Sequence, residues 1–515
     1  MGLPRVFFPS KSKSLEPVYA YNTGNSNGQN ILSISIIKWR IINTHAWIED
    51  IILLFVLKRK ISVLKKALPF FFVVFLAKSA GFLSATVLSL YNVGPKAATM
   101  GGAFVGRADN TTAIYYNPAG LAFQKGLGFR VSVGYYNYTV KAGSEDPQRS
   151  DLSSEPQLIG SLFVAYTFNE RISFGIGAFT PYSLVTRWPS MWPGDPLCIN
   201  SELNVFTIRP AMAIKIIKSL SIGAGLDIVH SNVRWDFHNI HSTLWGPEEG
   251  WVINELNASG SGIGFTGGAL FEPSDKFRIG IRYQKRMDMD LKGENDYGRG
   301  IIYIYDVRAP EHAPEVGTAK PEFFAKQEVV FSLSIPSEAV LGVLLAPTKR
   351  ILFQADIHRT GWSSFKKWEF VAANPEDSYF PEPPEGEDID DEPVDGAREG
   401  IALDMKDTWS FMLGGECLIK EGLSLRIGYA RHQSPFDDKT LTPVLPLLPR
   451  NVISFGVGYD GPARSITDQS LIGNLTFDAY LQYVGLEERT SSYPGHPLTF
   501  GGNYWVFGVG VGLYL

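Results

Sequence analysis

From Trp505 to Leu515 the chain alternates without interruption between two kinds of residue. One set of alternate positions holds Trp, Phe, Val, Val, Leu and Leu, and the other holds mostly glycine. Successive side chains of a β-strand point to opposite faces, so this segment predicts a strand with one wholly apolar face. Such a strand is typical of a wall that has lipid outside and a lumen inside.

The same alternation recurs in earlier segments, at 172–177, 277–290, 423–432 and 453–459. In the second of these, one parity predicts lipid-facing side chains and the other predicts lumen-facing charges. The predicted lipid-facing residues, interrupted only by Lys285, are Phe277, Ile279, Ile281, Tyr283, Met287 and Met289. The predicted lumen-facing residues include Arg278, Arg282, Arg286, Asp288 and Asp290. A β-sandwich also alternates, with its polar parity facing solvent, so alternation alone does not separate the two folds.

Connection lengths favour the barrel. About fourteen strands are predicted, and the connections between them alternate between tight turns such as Asn169–Glu170 and long loops such as 235–258 and 291–326. The predicted strands are 128–141, 157–168, 171–180, 203–217, 219–234, 259–272, 276–290, 327–346, 350–361, 407–419, 422–432, 450–460, 470–485 and 500–515. This pattern predicts an all-β membrane protein, a transmembrane antiparallel barrel with short turns at one rim and long loops at the other.

Composition excludes several other classes. The mean hydropathy is -0.01, and no apolar run reaches the roughly 18 residues of a membrane-spanning helix. The formal net charge of -5 argues against a nucleic-acid partner. The two cysteines, Cys198 and Cys417, do not form a disulfide framework, and Cys417 is expected to face lipid. We expect no cofactor and no metal site.

The N-terminal residues divide into three predicted segments. Residues 58–79 combine a basic stretch with a short apolar one and predict an export signal, the alternative being a short buried helix. Residues 1–57 would precede that signal, so we expect translation to start near Val56 and this stretch to be absent from the natural protein. Residues 80–127 are rich in small residues and helix formers, broken at Pro95 and Pro118. They predict a helical plug within the lumen of a barrel formed by 128–515, rather than a periplasmic tail.

Motifs in the plug and the barrel resemble a known family. The plug contains Asn117-Pro118-Ala119, and Ala80-Gly81-Phe82 resembles the family's mature start. The barrel contains Ile335–Gly342, Thr360–Phe365, Asp407–Ser410 and Arg426–Pro435. Together they resemble the outer-membrane transporters of long-chain fatty acids and aromatic hydrocarbons, the FadL and TodX proteins, over roughly residues 80–515. His432 stands where the last motif has Asp.

The resemblance implies a location, partners and a mechanism. It implies a monomer in the outer membrane of a Gram-negative bacterium, in contact with the bilayer and lipopolysaccharide and inserted by the barrel-assembly machinery. A long acyl chain would contribute roughly 13 kcal/mol of gross burial energy. A carrier of such solutes therefore needs graded apolar sites and a movable element. The implied steps are capture at outer loops, binding in the lumen, rearrangement of the plug, or hatch, and lateral exit.

Candidate residues follow for each step, and each has an alternative. Apolar side chains in loops that should be polar are candidate ligand contacts, although they could equally pack loops together. These ligand candidates are Phe82, Trp235, Trp245, Trp251, Ile302, Tyr303, Phe323 and Phe324. The resemblance implies a lateral gate at a kink in the third strand. The candidates for it are Gly175 and Gly177 in that strand, followed by Pro181, although lumen-facing glycine is common in barrels. Arg278, Arg282 and Arg286 could meet a carboxylate head group, but pairing with neighbours such as Asp288 is the more frequent arrangement.

Two further hypotheses are weaker. The acidic stretch around 376–399 could bind calcium, but it has no EF-hand spacing and is more typical of a solvated loop. An enzyme is not indicated, because no G-x-S-x-G elbow or partnered histidine is present. A general diffusion porin is the nearer alternative to a transporter of hydrophobic compounds.

Overall fold

The computed structural model of the protein describes residues 92–143, 150–151, 157–189, 192, 194, 197–242, 248–296, 301–306, 315–318, 326–373, 398–464, 471–492 and 497–515. The chain divides into two units, Met1–Ala77 and Lys78–Leu515, and every described residue lies in the second. The predicted export signal, the stretch 1–57 and most of the acidic stretch 376–399 lie outside the described residues.

The described part is almost entirely antiparallel sheet. Its helices are α1 (Pro95–Ala98), α2 (Ala113–Tyr116) and the 3-10 helices η1 (Pro118–Phe123) and η2 (Trp362–Ser364). Its strands are β1 (Leu127–Asn137), β2 (Lys141–Gly143), β3 (Ser150–Asp151), β4 (Gln157–Thr167), β5 (Ile172–Arg187), β6 (Asn200–Ile217), β7 (Leu220–Ser242), β8 (Glu248–Ser274), β9 (Phe277–Gln284), β10 (Met287–Asp296), β11 (Ile301–Asp306), β12 (Glu315–Thr318), β13 (Gln327–Ile335), β14 (Glu338–Leu345), β15 (Ile351–Thr360), β16 (Lys367–Ala372), β17 (Arg398–Ala402), β18 (Thr408–Lys420), β19 (Leu423–His432), β20 (Arg450–Arg464), β21 (Leu471–Thr490) and β22 (Thr499–Tyr514).

These strands close into one barrel. The first and last strands pair in register from Gly128↔Tyr514 to Asn137↔Trp505. Successive strands such as β9 and β10, or β13 and β14, follow one another along a single wall strand, and β11 pairs with β12 in a small hairpin. Counted this way, the wall has 14 strands, which confirms the predicted barrel. A closed barrel leaves no unpaired sheet edge in lipid.

Side chains alternate across the wall as the sequence predicts. In β22, Trp505 and Phe507 are each 50% exposed, whereas the intervening Val506 is buried. Cys417 is exposed on the lipid-facing parity of β18, as expected, and Cys198 is buried; both are free thiols. Among the described residues, no helix has the length and apolar character needed to cross a membrane.

The hatch residues 92–126 form the inner layer, with helices α1, α2 and η1. A proline begins both α1 and η1, where its missing N–H costs nothing. The hatch is apolar enough to have its own buried cluster, in which Phe104, Ile114 and Tyr116 pack with Phe163 and Phe179 of the wall. The hatch and the barrel therefore share one core.

The prediction for one strand was wrong in its second half. This wall strand is interrupted at Lys285 and Arg286, between β9 and β10, and beyond the interruption its two faces exchange. Met287 and Met289, predicted to face lipid, are buried in the interior, whereas Asp288 is exposed on the outside. A slip of one residue moves every following side chain to the other face. The apolar parity is interrupted in the sequence only by Lys285, and the apolar Met287 and Met289 then continue the same parity, so the exchange of faces was not predicted.

A predicted loop was also wrong. The stretch 235–258 was expected to be a long loop, but β7 extends to Ser242 and β8 begins at Glu248. The two strands pair as far as Ser242↔Glu249. Both strands are much longer than the roughly ten residues needed to cross a membrane. Their paired ends therefore form part of the barrel's extension above the bilayer.

Candidate functional site

The hatch sits on a ring of inward-facing glycines, which we call the glycine seat. On each of these glycines an added Cβ would lie closer than 3.0 Å to a hatch atom. The residues of the glycine seat are Gly128, Gly175, Gly223, Gly268, Gly280, Gly342, Gly414, Gly428, Gly456 and Gly510, each on a different strand. Glycine lets another backbone approach closely. The glycine-rich parity of the strands is therefore the surface that receives the hatch.

The Asn117-Pro118-Ala119 motif ties the hatch to itself and to the wall. The Asn117 side chain accepts a hydrogen bond from the amide of Ala119 (3.2 Å) and so caps η1. Its Nδ2 donates to the carbonyl of Val105 within the hatch (3.1 Å) and to the carbonyl of Ala269 on β8 (3.0 Å). Asn117 is fully buried. One amide thus connects two hatch segments and a wall strand, as only a side chain with both donor and acceptor can.

Polar wall residues hold the rest of the hatch backbone. Asp356 Oδ2 on β15 accepts from the amides of Phe104 (2.7 Å) and Val105 (2.8 Å). Arg209 on β6 donates to the carbonyls of Ile114 and Tyr115, each at 3.2 Å. Buried backbone groups need such partners, and the wall supplies them in place of water.

A charged cluster fills the interior beside the hatch. Arg107 of the hatch makes two contacts with Glu416 on β18 (3.0 and 3.1 Å). Glu416 also pairs with Arg426 (2.5 Å), which reaches Asp478 (2.5 Å), and Asp478 pairs with Arg130 (2.6 Å). Buried ion pairs contribute little net stability, but removing one partner leaves a costly unpaired charge. The cluster therefore makes the hatch position specific.

Within the hatch, Asp109 bridges Lys96 (2.9 Å) and Arg107 (2.7 Å). Burial opposes ionisation of this carboxyl, but the two cations hold its pKa far below the usual range. Burial, together with the charge of Arg107, lowers the pKa of the Lys96 ammonium. The hatch thus carries its own charge network, joined to the wall through Arg107.

The predicted lumen charges separate into two environments. Arg282 is buried and pairs with Glu338, and Arg278 pairs with Glu272 (2.9 Å) and donates to the carbonyl of Arg107 (3.1 Å). Arg286 pairs with Asp288 (2.8 Å), but both side chains are about half exposed, on the outer face created by the break at Lys285. The structure therefore brings Arg278 and Arg282 to the hatch and leaves Arg286 outside.

Above this polar layer lies a continuous apolar cluster, which we call the chamber. It includes Leu203, Val233, Trp235, Met289, Phe331, Trp368, Phe370, Leu403, Leu445 and Phe500, with further neighbours from most strands. The outer face of the same strands carries polar residues such as Ser332 and Asp290, which hydrogen-bond each other (2.9 Å). Here the wall is polar outside and apolar inside, the reverse of its membrane-spanning part.

Sequence reasoning missed one element of the chamber. The loop 433–449 was expected only as a long connection, yet Leu441, Val444 and Leu445 in it are fully buried. Trp188 Nε1 donates to the carbonyl of Pro443 (3.2 Å), and Ser491 donates to that of Leu441 (2.7 Å). The run of apolar residues and prolines between two strands was the available signal.

The predicted ligand contacts can be placed only in part. Trp235 is buried in the chamber, stacked on Phe237 with ring centroids 4.3 Å apart, and its Nε1 donates to the carbonyl of Leu197 (3.0 Å). The backbones of Trp251, Ile302 and Tyr303 lie in β8 and β11, but their side chains lie outside the described part. Phe82, Trp245, Phe323 and Phe324 lie wholly outside it.

The wall is interrupted between β4 and β5. Their ladder ends at Leu162↔Ala178, and β5 continues upward paired only with β6, with a bulge at Thr180 and Pro181. A small cavity lies at this break, bordered by hatch residues as well as by the wall. Its lining includes Asn92, Val93, Pro95, Ser132, Tyr136, Ile159, Gly160, Ser161, Thr180 and Tyr480. Of the predicted gate residues, Pro181 lies in the bulge.

The other two predicted gate residues lie below the break. Gly175 and Gly177 belong to the paired part of β5 and face Ile114 of the hatch. The start of the described hatch is held at the cavity by neutral groups only. Asn92 bonds Gln482 (2.6 Å), and Ser161 donates to the carbonyl of Val93 (2.7 Å).

A barrel with a seated hatch, an apolar chamber and a break in the wall can be compared with known proteins. The family described as outer membrane protein transport protein (OMPP1/FadL/TodX) matches residues 72–487. This chain belongs to that family. A 47 kDa outer membrane protein of Pasteurella multocida is 22% identical over 452 residues, covering 85% of this chain and 96% of that protein.

Solved structures of the OMPP1/FadL/TodX family share the fold. A Pseudomonas aeruginosa FadL homologue superposes with a TM-score of 0.66 at 18% identity, covering 83% of this chain and 100% of that one. The Pseudomonas putida toluene transporter TodX superposes with a TM-score of 0.60 at 16% identity, covering 84% and 100%. The protein is thus an outer-membrane protein of the transporter type found in Gram-negative bacteria, and its family and structural neighbours are transporters rather than enzymes. Among the described residues, no cluster of His, Cys, Asp or Glu could hold a metal ion.

Proposed function

We propose that this protein carries long-chain fatty acids or aromatic hydrocarbons across the outer membrane. The observation that carries the proposal is the vertical order of the interior: an apolar chamber above, a hatch seated on glycines below, and a break in the wall where the described hatch begins. Apolar solutes gain free energy in proportion to the area they bury, so a chamber lined with aliphatic and aromatic groups suits them. A hydrated pore would not.

Capture takes place at the mouth and the chamber. Trp235 and the loop 433–449 line the chamber, and the ligand displaces or rearranges the loop as it enters. The extracellular candidates Trp245, Trp251, Ile302, Tyr303, Phe323 and Phe324 remain proposals for the first contact. The apolar chamber then binds the chain by burial, at a strength limited by association costs.

Release uses the hatch and the wall. The residues before Pro95 are held by neutral hydrogen bonds, which contribute about 1 kcal/mol each, whereas Arg107 is held by charges. The start of the described hatch, Asn92 and Val93, is therefore the part that moves, and Phe82 remains a proposed ligand contact. Their movement joins the chamber to the cavity at Thr180 and Pro181, and the ligand leaves through the break between β4 and β5.

A single deletion tests the exit. In the bulge, Thr180 and Pro181 oppose Phe206 alone, so deleting Pro181 restores one-to-one pairing and lets β5 run beside β4. We expect uptake of radiolabelled oleate and of toluene by cells to fall at least tenfold. The matched control deletes Glu488, which removes a similar bulge from β21, where Glu487 and Glu488 oppose Gly501.

Unchanged uptake of both ligands after the Pro181 deletion, in a barrel that still folds, would contradict exit at this break. Liposome swelling separates the proposal from a general diffusion porin. We expect arabinose to enter vesicles containing the intact protein no faster than it enters empty vesicles, whereas a porin would admit it freely.

A further inference from the structure

A second interruption of the wall lies between β8 and the strand formed by β9 and β10. The ladder ends at Thr266↔Gln284 and resumes only at Ser259↔Lys292. On their other sides the same strands pair continuously, β8 with β7 and β10 with β13. The interruption, which we call the seam, thus spans Gly260–Phe265 opposite 285–291.

The seam follows from the break at Lys285 and Arg286. Below it, Arg282 points into the interior, and above it Met287 and Met289 do so. The extra residue rotates β10 relative to β8, so their backbone groups no longer meet. One backbone bond remains at the lower end, from the amide of Lys285 to the carbonyl of Phe265 (3.0 Å).

Methionine side chains close the seam from within. On β8 the inward positions are Gly260, Gly262 and Gly264, and a Cβ on Gly262 would lie 3.1 Å from the sulfur of both Met287 and Met289. Methionine is unbranched and flexible and adapts to irregular spaces. At this height the wall is therefore held by thioethers packed over glycines rather than by a hydrogen-bonded ladder.

The seam separates two apolar environments. Outside it, Ile263 is 64% exposed and Phe265 57% exposed, as lipid-facing residues are. One step higher, Ser261 bonds His230 on the exposed face (3.1 Å), which marks the beginning of the polar outer surface. Inside, Met287 and Met289 belong to the chamber.

We infer that the seam is a lateral access route by which an apolar molecule dissolved in the outer leaflet reaches the chamber, with Met287 and Met289 as its movable closure. Unpaired backbone is tolerated at membrane depth only where protein covers it or where it lines a cavity, and here methionine side chains of the chamber cover it from within. The inference rests on the proposed function for the identity of the cargo. It adds a source, the bilayer, to the aqueous mouth.

Another ladder break shows why this one is singled out. Between β13–β14 and β15–β16, pairing lapses from Ser332 to Ser337, but η2 is inserted there. The amide of Gly361 bonds the carbonyl of Ser337 (2.8 Å), and Trp362 and Phe365 fill the space. That break is sealed by an aromatic turn. On the inner face of the seam, β8 presents only glycines, and these are covered by the flexible side chains of Met287 and Met289, with Leu291 at the upper end.

Cysteine accessibility from the bilayer tests the inference. In proteoliposomes of the full chain with Cys417→Ser, Met289→Cys should react with N-(1-pyrenyl)maleimide, which partitions into lipid, at least tenfold faster than Met412→Cys. Met412 is also buried in the interior but lies on β18, whose ladders to β15 and β19 pair it on both sides. The native Cys417, exposed on the lipid face, serves as the positive control.

Equal rates at Met289→Cys and Met412→Cys would overturn the inference. So would faster reaction of Met289→Cys with a membrane-impermeant maleimide than with the pyrene maleimide, each rate taken relative to that of free cysteine with the same reagent, because access would then come from the aqueous mouth. Retained heat-modifiable migration on gels verifies that each variant is folded. Oleate uptake is measured separately and tests the proposed function, whereas cysteine labelling tests the seam. Either result can therefore fail without the other.

Discussion

The sharpest consequence of the glycine seat concerns two adjacent residues of β18, Gly414 and Gly415. On Gly414, which faces inward, an added Cβ would lie 2.6 Å from Cβ and 2.9 Å from Cα of the hatch residue Met100. On Gly415, which faces outward, the nearest atom would be 3.7 Å away. Carbon atoms pack at about 3.5–4.0 Å, so Gly414→Ala must displace the hatch by roughly 1 Å, whereas Gly415→Ala displaces nothing.

The size of the effect follows from the packing. Overfilling a close-packed interior costs about 1–3 kcal/mol, and Met100 is fully buried with little room to retreat. A cost near 2 kcal/mol changes the ratio of seated to displaced hatch by about thirtyfold. We expect Gly414→Ala to show frequent ion-conducting openings in planar bilayers and faster cleavage of the hatch by proteases.

Gly415→Ala is the matched control. It adds the same methyl group to the same strand and lowers the backbone entropy of the unfolded chain by the same amount. We expect it to conduct as rarely as the native protein and to unfold at the same temperature. Indistinguishable conductance and proteolysis for the two variants would refute the idea that the inward glycines exist to receive the hatch.

Three further predictions concern the contacts that hold the hatch and the chamber. Asp356→Ala leaves two buried hatch amides without an acceptor, at about 1–3 kcal/mol each, and should lower the thermal unfolding temperature more than Asp356→Asn, which keeps an oxygen. Because the pKa of Asp109 lies below its ordinary 3.8, its pairing with Arg107 stabilises the hatch above that value and is lost only in stronger acid; bilayer conductance should be constant from pH 8 to about pH 5, and a rise in conductance within that range would contradict this. Trp188→Phe removes the bond to the carbonyl of Pro443 but keeps an aromatic ring at this position, so limited proteolysis should cleave the loop 433–449 about fivefold faster, a change of about 1 kcal/mol.

The barrel could be predicted because its determinants are local. Alternation in β22 requires one apolar face and one small face, and lipid outside satisfies the first. The tight turns after Thr167 and Ile217 place neighbouring strands side by side without any long-range information. The strand positions therefore follow from residues close in sequence, and the closure of β1 on β22 follows from the need to leave no edge in lipid.

The interior could be predicted only in outline because its determinants are distant in sequence. The glycines of the glycine seat recur at alternate positions of the strands, which is visible in the sequence. The hatch residues that they contact lie up to hundreds of residues away, as Gly510 and Pro95 do. The ion pair of Arg130 with Asp478 likewise joins the first barrel strand to the thirteenth. Residue spacing carries no record of such encounters.

The exchange of faces at Lys285 gives the clearest physical account of why the interior is built as it is. Where the wall faces lipid, many of its inner positions at the same height are glycines that receive the hatch. The large apolar chamber lies above them, where the outer face carries polar residues such as Ser332 and Asp290. Each strand that reaches the chamber must therefore change from an apolar outer face to a polar outer face and an apolar inner face. The change can pass through a glycine or small-residue section, as in β8, or through an extra residue, as between β9 and β10. β8 and the strand formed by β9 and β10 make this change differently, so their ladder does not stay in register. The seam at the outer boundary of the membrane is therefore a geometric consequence of an apolar chamber above a membrane barrel.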